Sequence, residues 1–183
     1  SGYWATLHDN QQGGASTILS EIVSPGASGS LYSLKSIYSL EKGNYQYDPY
    51  VTVTSAFSQD WSEVDLSSAT GISFAYKGDA CILDFISTGM IDGSNFQVEV
   101  PASTEWTEYS FLWSDFAQPS YVQPKSIIDL QKAISIQWRV VGPSGQNGNF
   151  EIDNIVLLNY SPIVTQIPVQ SIEVSPRYIT LEV

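Results

Sequence analysis

Residues 134–158 read ISIQWRVVGPSGQNGNFEIDNIVLL, and this stretch decides the fold class. In its first half Ile134, Ile136, Trp138 and Val140 recur at a period of two, with Ser135, Gln137 and Arg139 between them. That alternation makes a strand with one face in a core and one polar face. The segment GPSGQNGN is a polar, Gly-rich turn, and FEIDNIVLL is a second strand. Phe150 and Ile152 share a face of that strand, but the next apolar pair, Ile155 and Leu157, has slipped by one residue. The slip predicts a bulge near Asp153 and Asn154. Strand, turn and strand together predict a β-hairpin.

The same rhythm runs outward from this segment. YWATLHDNQQGGASTILSEIV reads as strand, Gly-Gly turn and strand, and LYSLKSIYSL, YVTVTSAF, ISFAYKG, ACILDFIS, FQVEVP and EWTEYSFLW follow as short runs bounded by Gly, Ser, Asn and Asp. Only SIIDLQKAI could supply a helical turn or two. Many short strands at this spacing predict an all-β domain, a jelly-roll sandwich of two antiparallel sheets. With 183 residues the chain has room for one sizeable core and a short appendage.

Composition narrows the partners. Seven basic residues stand against 19 acidic ones, a formal net charge of −12, which makes nucleic acid and anionic membrane poor partners. No stretch approaches the roughly 20 apolar residues that span a bilayer, which sets membrane insertion aside. A lone cysteine, Cys81, cannot form an intramolecular disulfide and reads as a small apolar residue. Aromatic residues are plentiful, at 11 Tyr, 7 Phe and 5 Trp, and many sit beside polar residues. A ring with a polar edge suits the CH faces and hydroxyl rim of a sugar, although rings of this kind also fill cores.

The pattern Phe-x-Ile-Asp-Asn-Ile-x-Leu at 150–157 resembles the last strand of jelly-roll carbohydrate-binding modules, in particular the family 11 glucan-binding modules of bacterial cellulases. The resemblance spans residues 1–160 and is best from Asp92 onward. It implies a noncatalytic, secreted or cell-surface module that holds a β-glucan chain, cellulose-like or mixed-linkage, in a concave cleft and targets a linked glycanase to polysaccharide. Tyr50 stands where a tyrosine opens a cleft-lining strand in that family, and Thr52 follows on the same face. The loop MIDGSNFQVEV resembles a family segment contacting the glucan, so Asp92 corresponds to its binding acid and Asn95 stands where the family has histidine. An Asp-Gly turn leading into a strand explains the same residues.

In FLWSDFAQPSYVQPKS the tyrosine of a family Tyr-x-x-Pro is matched by Tyr121, while Gln118 and Ser120 replace the family's arginine and aspartate. From the alternation, Gln137 and Arg139 face away from the core, onto the sheet whose outer surface forms the cleft in the resembled family, which predicts that replacing both with Ala leaves melting nearly unchanged. An ion pair between Arg139 and a nearby carboxylate is the simpler account of that residue. Asp84, in an otherwise apolar strand, must point into the cleft or meet a cation, because an unpaired buried carboxylate is costly.

Plentiful oxygen donors, with one His and one Cys, allow calcium and exclude a transition-metal centre. The resemblance implies a structural calcium at the junction of first and last strands, with Asp153 as ligand and Asp9 or Glu21 contributing from the N-terminal hairpin. A catalytic reading needs two carboxylates across a cleft, and the acidic residues are numerous enough to supply them, so a lyase or glucanase is one alternative. An adhesion or protein-interaction jelly roll is the other. No Gly-x-Ser-x-Gly elbow, Walker or dinucleotide motif occurs. After Tyr160, residues 161–170 (SPIVTQIPVQ) read as a linker or edge segment, and residues 171–183 (SIEVSPRYITLEV) resemble the opening of a bacterial immunoglobulin-like repeat or form a tail.

Overall fold

The computed structural model describes residues 3–90 and 94–161. The expected boundary elements at 162–183, and Asp92, lie outside the described residues. Ten strands form two five-stranded antiparallel sheets. The first sheet has the order β1 (Trp4–His8), β4 (Tyr50–Ala56), β9 (Ala133–Val141), β6 (Cys81–Ser87), β7 (Phe96–Val100). The second has the order β2 (Thr17–Val23), β3 (Ser33–Ser39), β10 (Asn147–Leu158), β5 (Gly71–Gly78), β8 (Ser103–Leu112). This is the all-β jelly-roll sandwich that the alternation predicts. In place of the helical turns expected at 126–134, a single 3-10 turn spans Leu130–Lys132, opened by the Asp129 carboxylate accepting the Gln131 N–H at 3.1 Å.

The two expected hairpins are not hairpins. β9 lies in the first sheet and β10 in the second, and β1 and β2 are divided in the same way. Residues 142–146 instead arch across the sandwich, pinned to the end of β3 by the Gly145 N–H to the Leu40 carbonyl at 2.7 Å and the Leu40 N–H to the Gln146 carbonyl at 2.8 Å. The reason is that both strands sit at the centre of a sheet. β9 bonds to β4 and β6, and β10 bonds to β3 and β5, so neither has an edge left for the other. Alternation is a property of one strand, whereas pairing is decided by which neighbours compete for its edges. The bulge in β10 is where the slipped pattern predicts it, between Asp153 and Val156, with Asn154 at φ 49°.

Between the sheets Ile136, Trp138 and Val140 of β9 are buried, as the period of two requires. Trp138 is 0% exposed. Its ring meets Phe74 edge-on at 5.3 Å and stacks with Trp4 at 5.9 Å, joining β9, β5 and β1. Phe85, Tyr76 and Phe150 continue the same cluster. Cys81 is buried there, and desolvation pushes its thiol up to about 12, so it packs as a small apolar side chain.

Trp138→Ala should therefore cost about 3–5 kcal/mol in urea unfolding, the range for large-to-small core changes. Trp138→Phe should cost less, because the indole N–H has no hydrogen-bond partner to lose.

Candidate functional site

The outward residues of the first sheet follow from the same register. Leu7, Thr52, Arg139, Ile82 and Glu99 form one cross-strand row, and Ala5, Thr54, Gln137, Asp84 and Gln97 form the next. Over these rows lies a cleft of about 1390 Å³. It crosses all five strands, about 19 Å at the ordinary strand spacing. Tyr50, Thr52, Asp84, Asn95, Tyr121, Gln137 and Arg139, seven of the expected binding residues, all line it.

At the centre of the floor Arg139 on β9 donates to both oxygens of Asp84 on β6, Nε–H to Oδ2 at 2.7 Å and one terminal N–H to Oδ1 at 3.0 Å. The same terminal nitrogen donates to Gln97 Oε1 at 3.2 Å. The bidentate fork matches the carboxylate's two acceptors. Burial pushes the Asp84 carboxyl up and the guanidinium opposes that shift. For Arg139 desolvation acts downward, but the Asp84 bond and charge outweigh it and raise the guanidinium. Asp84 is 0% exposed, so the pair holds the floor together and leaves no bare charge on it.

Two walls stand over this floor. At the β7 side, the segment carrying Tyr121 is fastened by Gln118, whose side-chain N–H donates to the Ser94 carbonyl at 2.8 Å and whose Oε1 accepts the Ser126 N–H at 2.6 Å. Reciprocal backbone bonds of 3.0 Å between Gln97 and Ala117 anchor the same segment to β7. Gln118 thus holds the loop rather than standing in for the charged contact of the resembled family. Tyr121 is 74% exposed.

The β1 side carries the part that the sequence reading missed. Asn44, Tyr45, Gln46, Tyr47 and Asp48 line the cleft beside Leu7 and Gln12. Tyr45 meets Tyr47 at 5.6 Å and Tyr50 at 6.1 Å, both edge-to-face. A signal was present in NYQYDPY at 44–50, where three tyrosines interleave with polar residues. Desolvation raises the phenols of Tyr45 and Tyr50, with Asp9 and Tyr47 as further causes for Tyr45 and with Tyr45 and Asp9 as further causes for Tyr50, so both hydroxyls keep their protons at neutral pH.

Asp9, Glu21 and Asp153 are not brought together. Asp9 is buried just beyond His8 and accepts the Ser16 N–H at 3.1 Å, the Ser16 hydroxyl at 2.8 Å and the Tyr50 N–H at 3.1 Å. Asp153 lies at the other end of β1, in a small recess shared with Trp4 and Tyr32. Glu21 is exposed on β2, opposite Lys35. No group of three or more His, Cys, Asp or Glu that could hold a metal occurs among the described residues. As a shared calcium set the three carboxylates do not fit, because Asp9 and Asp153 lie at opposite ends of β1 and β3 stands between the strands that carry Glu21 and Asp153. Asp153 has a carbonyl oxygen beside it: its Oδ2 and the Tyr32 carbonyl both crowd the point where a Cβ on Gly26 would lie, at 2.3 and 2.5 Å. It also accepts the Ala27 N–H at 2.8 Å and the Asn154 N–H at 2.7 Å.

In fold, this arrangement is similar to solved carbohydrate-binding modules. A family 11 carbohydrate-binding module from Clostridium thermocellum, in complex with a β-1,3-1,4-mixed-linked tetrasaccharide, superposes with a TM-score of 0.62 at 20% identity, covering 85% of this chain and 88% of that one. The family 11 module of a cellulosomal cellulase from the same organism gives 0.60 at 21% identity, covering 85% and 86%. A family 30 module gives 0.54 at 11% identity, covering 82% and 80%. In sequence, the chain is 30% identical over 171 residues to Endoglucanase 3 of Fibrobacter succinogenes, matching 88% of this chain and 25% of that protein. The chain therefore spans a quarter of the length of that curated relative. No protein-family model matches the chain.

The ion pair revises the expectation for Arg139. Arg139→Ala should cost about 3 kcal/mol, the low end for a broken buried pair, because removing the Arg139 side chain opens Asp84 to the cleft. Gln137→Ala should stay within about 0.5 kcal/mol, as a change without a broken network does. Thermal melts of the two single variants check the contrast.

Proposed function

We propose that this chain is a noncatalytic carbohydrate-binding module that takes a single neutral β-glucan chain, cellulose-like or mixed-linkage, across the five strands of its first sheet. The observation that carries the reading is the lining of the cleft. Tyrosine rings rise at both walls, amides and hydroxyls cover the floor, and Arg139, the only lining cation among the described residues, is closed by Asp84. Rings take the CH faces of pyranoses, and neutral donors and acceptors meet hydroxyls. A uronic-acid polymer needs an available cation, and among the described lining residues none is left. The mixed-linkage ligand of the family 11 neighbour supports the same class.

The absence of catalysis rests on the carboxylates. Among the described lining residues these are Asp48 and Asp84, and Asp84 is engaged by Arg139. Two carboxyl groups free to divide acid and base roles are what a glycosidase requires. The module's role is then concentration, raising the effective concentration of polysaccharide at a linked glycanase domain of a secreted or cell-surface protein. The match to a quarter of an endoglucanase supports that arrangement.

Affinity electrophoresis against β-glucan, xylan, mannan and pectin tests the reading, with retardation expected in β-glucan and none in pectin. Tyr50→Ala or Tyr121→Ala should each weaken glucan binding by about 1–3 kcal/mol, as aromatic anchors do, without loss of fold. Wild-type protein unretarded in every gel would favour an adhesion role, and reducing sugar released from glucan would favour catalysis.

A structural calcium is a separate proposal, centred on Asp153 with the Tyr32 carbonyl beside it. An ion bound only by the folded chain stabilises through linkage. Chelator is then expected to lower Tm and added calcium to restore it, with glucan affinity little changed because Asp153 lies away from the cleft. Superimposable melting curves would remove the ion.

A further inference from the structure

The polar segment between β3 and β4 carries no regular structure over residues 40–49, yet it is fastened at several points. The Asn44 N–H donates to the Gly13 carbonyl at 2.8 Å and the Ala15 N–H to the Glu41 carbonyl at 2.8 Å. A Cβ on Gly43 would lie 2.7 Å from the Gly13 oxygen, and Gly43 has φ +54°, so glycine is required where the two loops touch. Beneath them the buried Asp9 carboxylate ties Ser16 of one loop to the Tyr50 N–H at the end of the other. Tyr45 is half-buried between Tyr47 and Tyr50. Tyr47 is 63% exposed. The outermost ring of the array thus sits on a fastened segment, packed edge-on against Tyr45, largely exposed and lining the cleft.

We infer that Tyr47, braced by Tyr45, is a stacking platform for an additional sugar unit at the β1 end of the cleft, beyond the stretch between Tyr50 and Tyr121. This rests on the glucan-binding reading and adds to it a dependence on chain length. A short oligosaccharide seated over Thr52, Arg139 and Asp84 is held without Tyr47. A longer chain, continuing past Tyr50, lies against it. Rings that lose little freedom on binding make efficient contacts, and the loop bonds supply that rigidity.

Isothermal titration with mixed-linkage gluco-oligosaccharides of increasing length, and with the soluble polysaccharide, tests the inference. Tyr47→Ala should weaken polysaccharide binding about tenfold, within the range of aromatic anchors, while short-oligosaccharide affinity stays within about twofold. Tyr47→Phe keeps the ring and should retain wild-type affinity for both. Melting curves of both variants should match wild type, since Tyr47 is exposed. Unchanged polysaccharide affinity in Tyr47→Ala, or an equal loss on short and long ligands, would overturn the platform while wild-type binding sustains the glucan reading. A wild-type protein that binds no glucan of any length would overturn the reading itself.

Discussion

The guanidinium of Arg139 grips both oxygens of Asp84 across the two central strands of the cleft sheet, and the character of the site depends on that grip. Without it, a carboxylate excluded from solvent and a cation on an otherwise neutral floor would each demand another partner. With it, the floor is polar but carries no free charge, and Gln97 is drawn into the same network. Buried ion pairs are weak evidence for stability, since desolvation offsets much of their attraction. Here the pair's consequence is geometric: it ties Arg139 of one cross-strand row diagonally to Asp84 and Gln97 of the next, bracing β9, β6 and β7 across the floor.

Directly behind this floor the sandwich is filled by apolar and aromatic side chains. Trp138, one residue from Arg139, points the other way into the rings of Phe74 and Trp4. A single strand thereby carries the centre of the core on one face and the centre of the cleft on the other. A slip of one residue would exchange these faces, burying Arg139 without Asp84 and exposing the tryptophan. The large aromatic core and the polar floor therefore enforce the same register from opposite sides.

The walls are built by a different means. Neither loop that overhangs the floor has repetitive structure, and each is held by one buried polar side chain that hydrogen-bonds several backbone or side-chain groups. Asp9 does this at the β1 side, and Gln118 at the β7 side. Buried polar groups of this kind are costly unless satisfied, and once satisfied they specify one conformation. The segments that carry Tyr50 and Tyr121 are in consequence fastened to the cleft sheet.

The sequence by itself determined the strands and their faces. Alternation from Ile134 to Val140 and from Tyr50 to Thr54, and the slip at Asp153 and Asn154, are consequences of side chains pointing to opposite sides of a pleated backbone, and they need no knowledge of neighbours. It also grouped Tyr50, Thr52, Asn95, Tyr121, Gln137 and Arg139, which line one cleft in the fold. What only the tertiary structure decided is which strands pair. The segments around 142–149 and 9–16 look like hairpin turns because a turn's composition is the same whether it reverses within a sheet or crosses to the next. The partner of Arg139, 55 residues away, the separation of Asp9 from Asp153, and the assembly of Tyr45, Tyr47 and Tyr50 against the β1 loop all follow from that pairing. They are contacts between distant segments, and local periodicity holds no record of them.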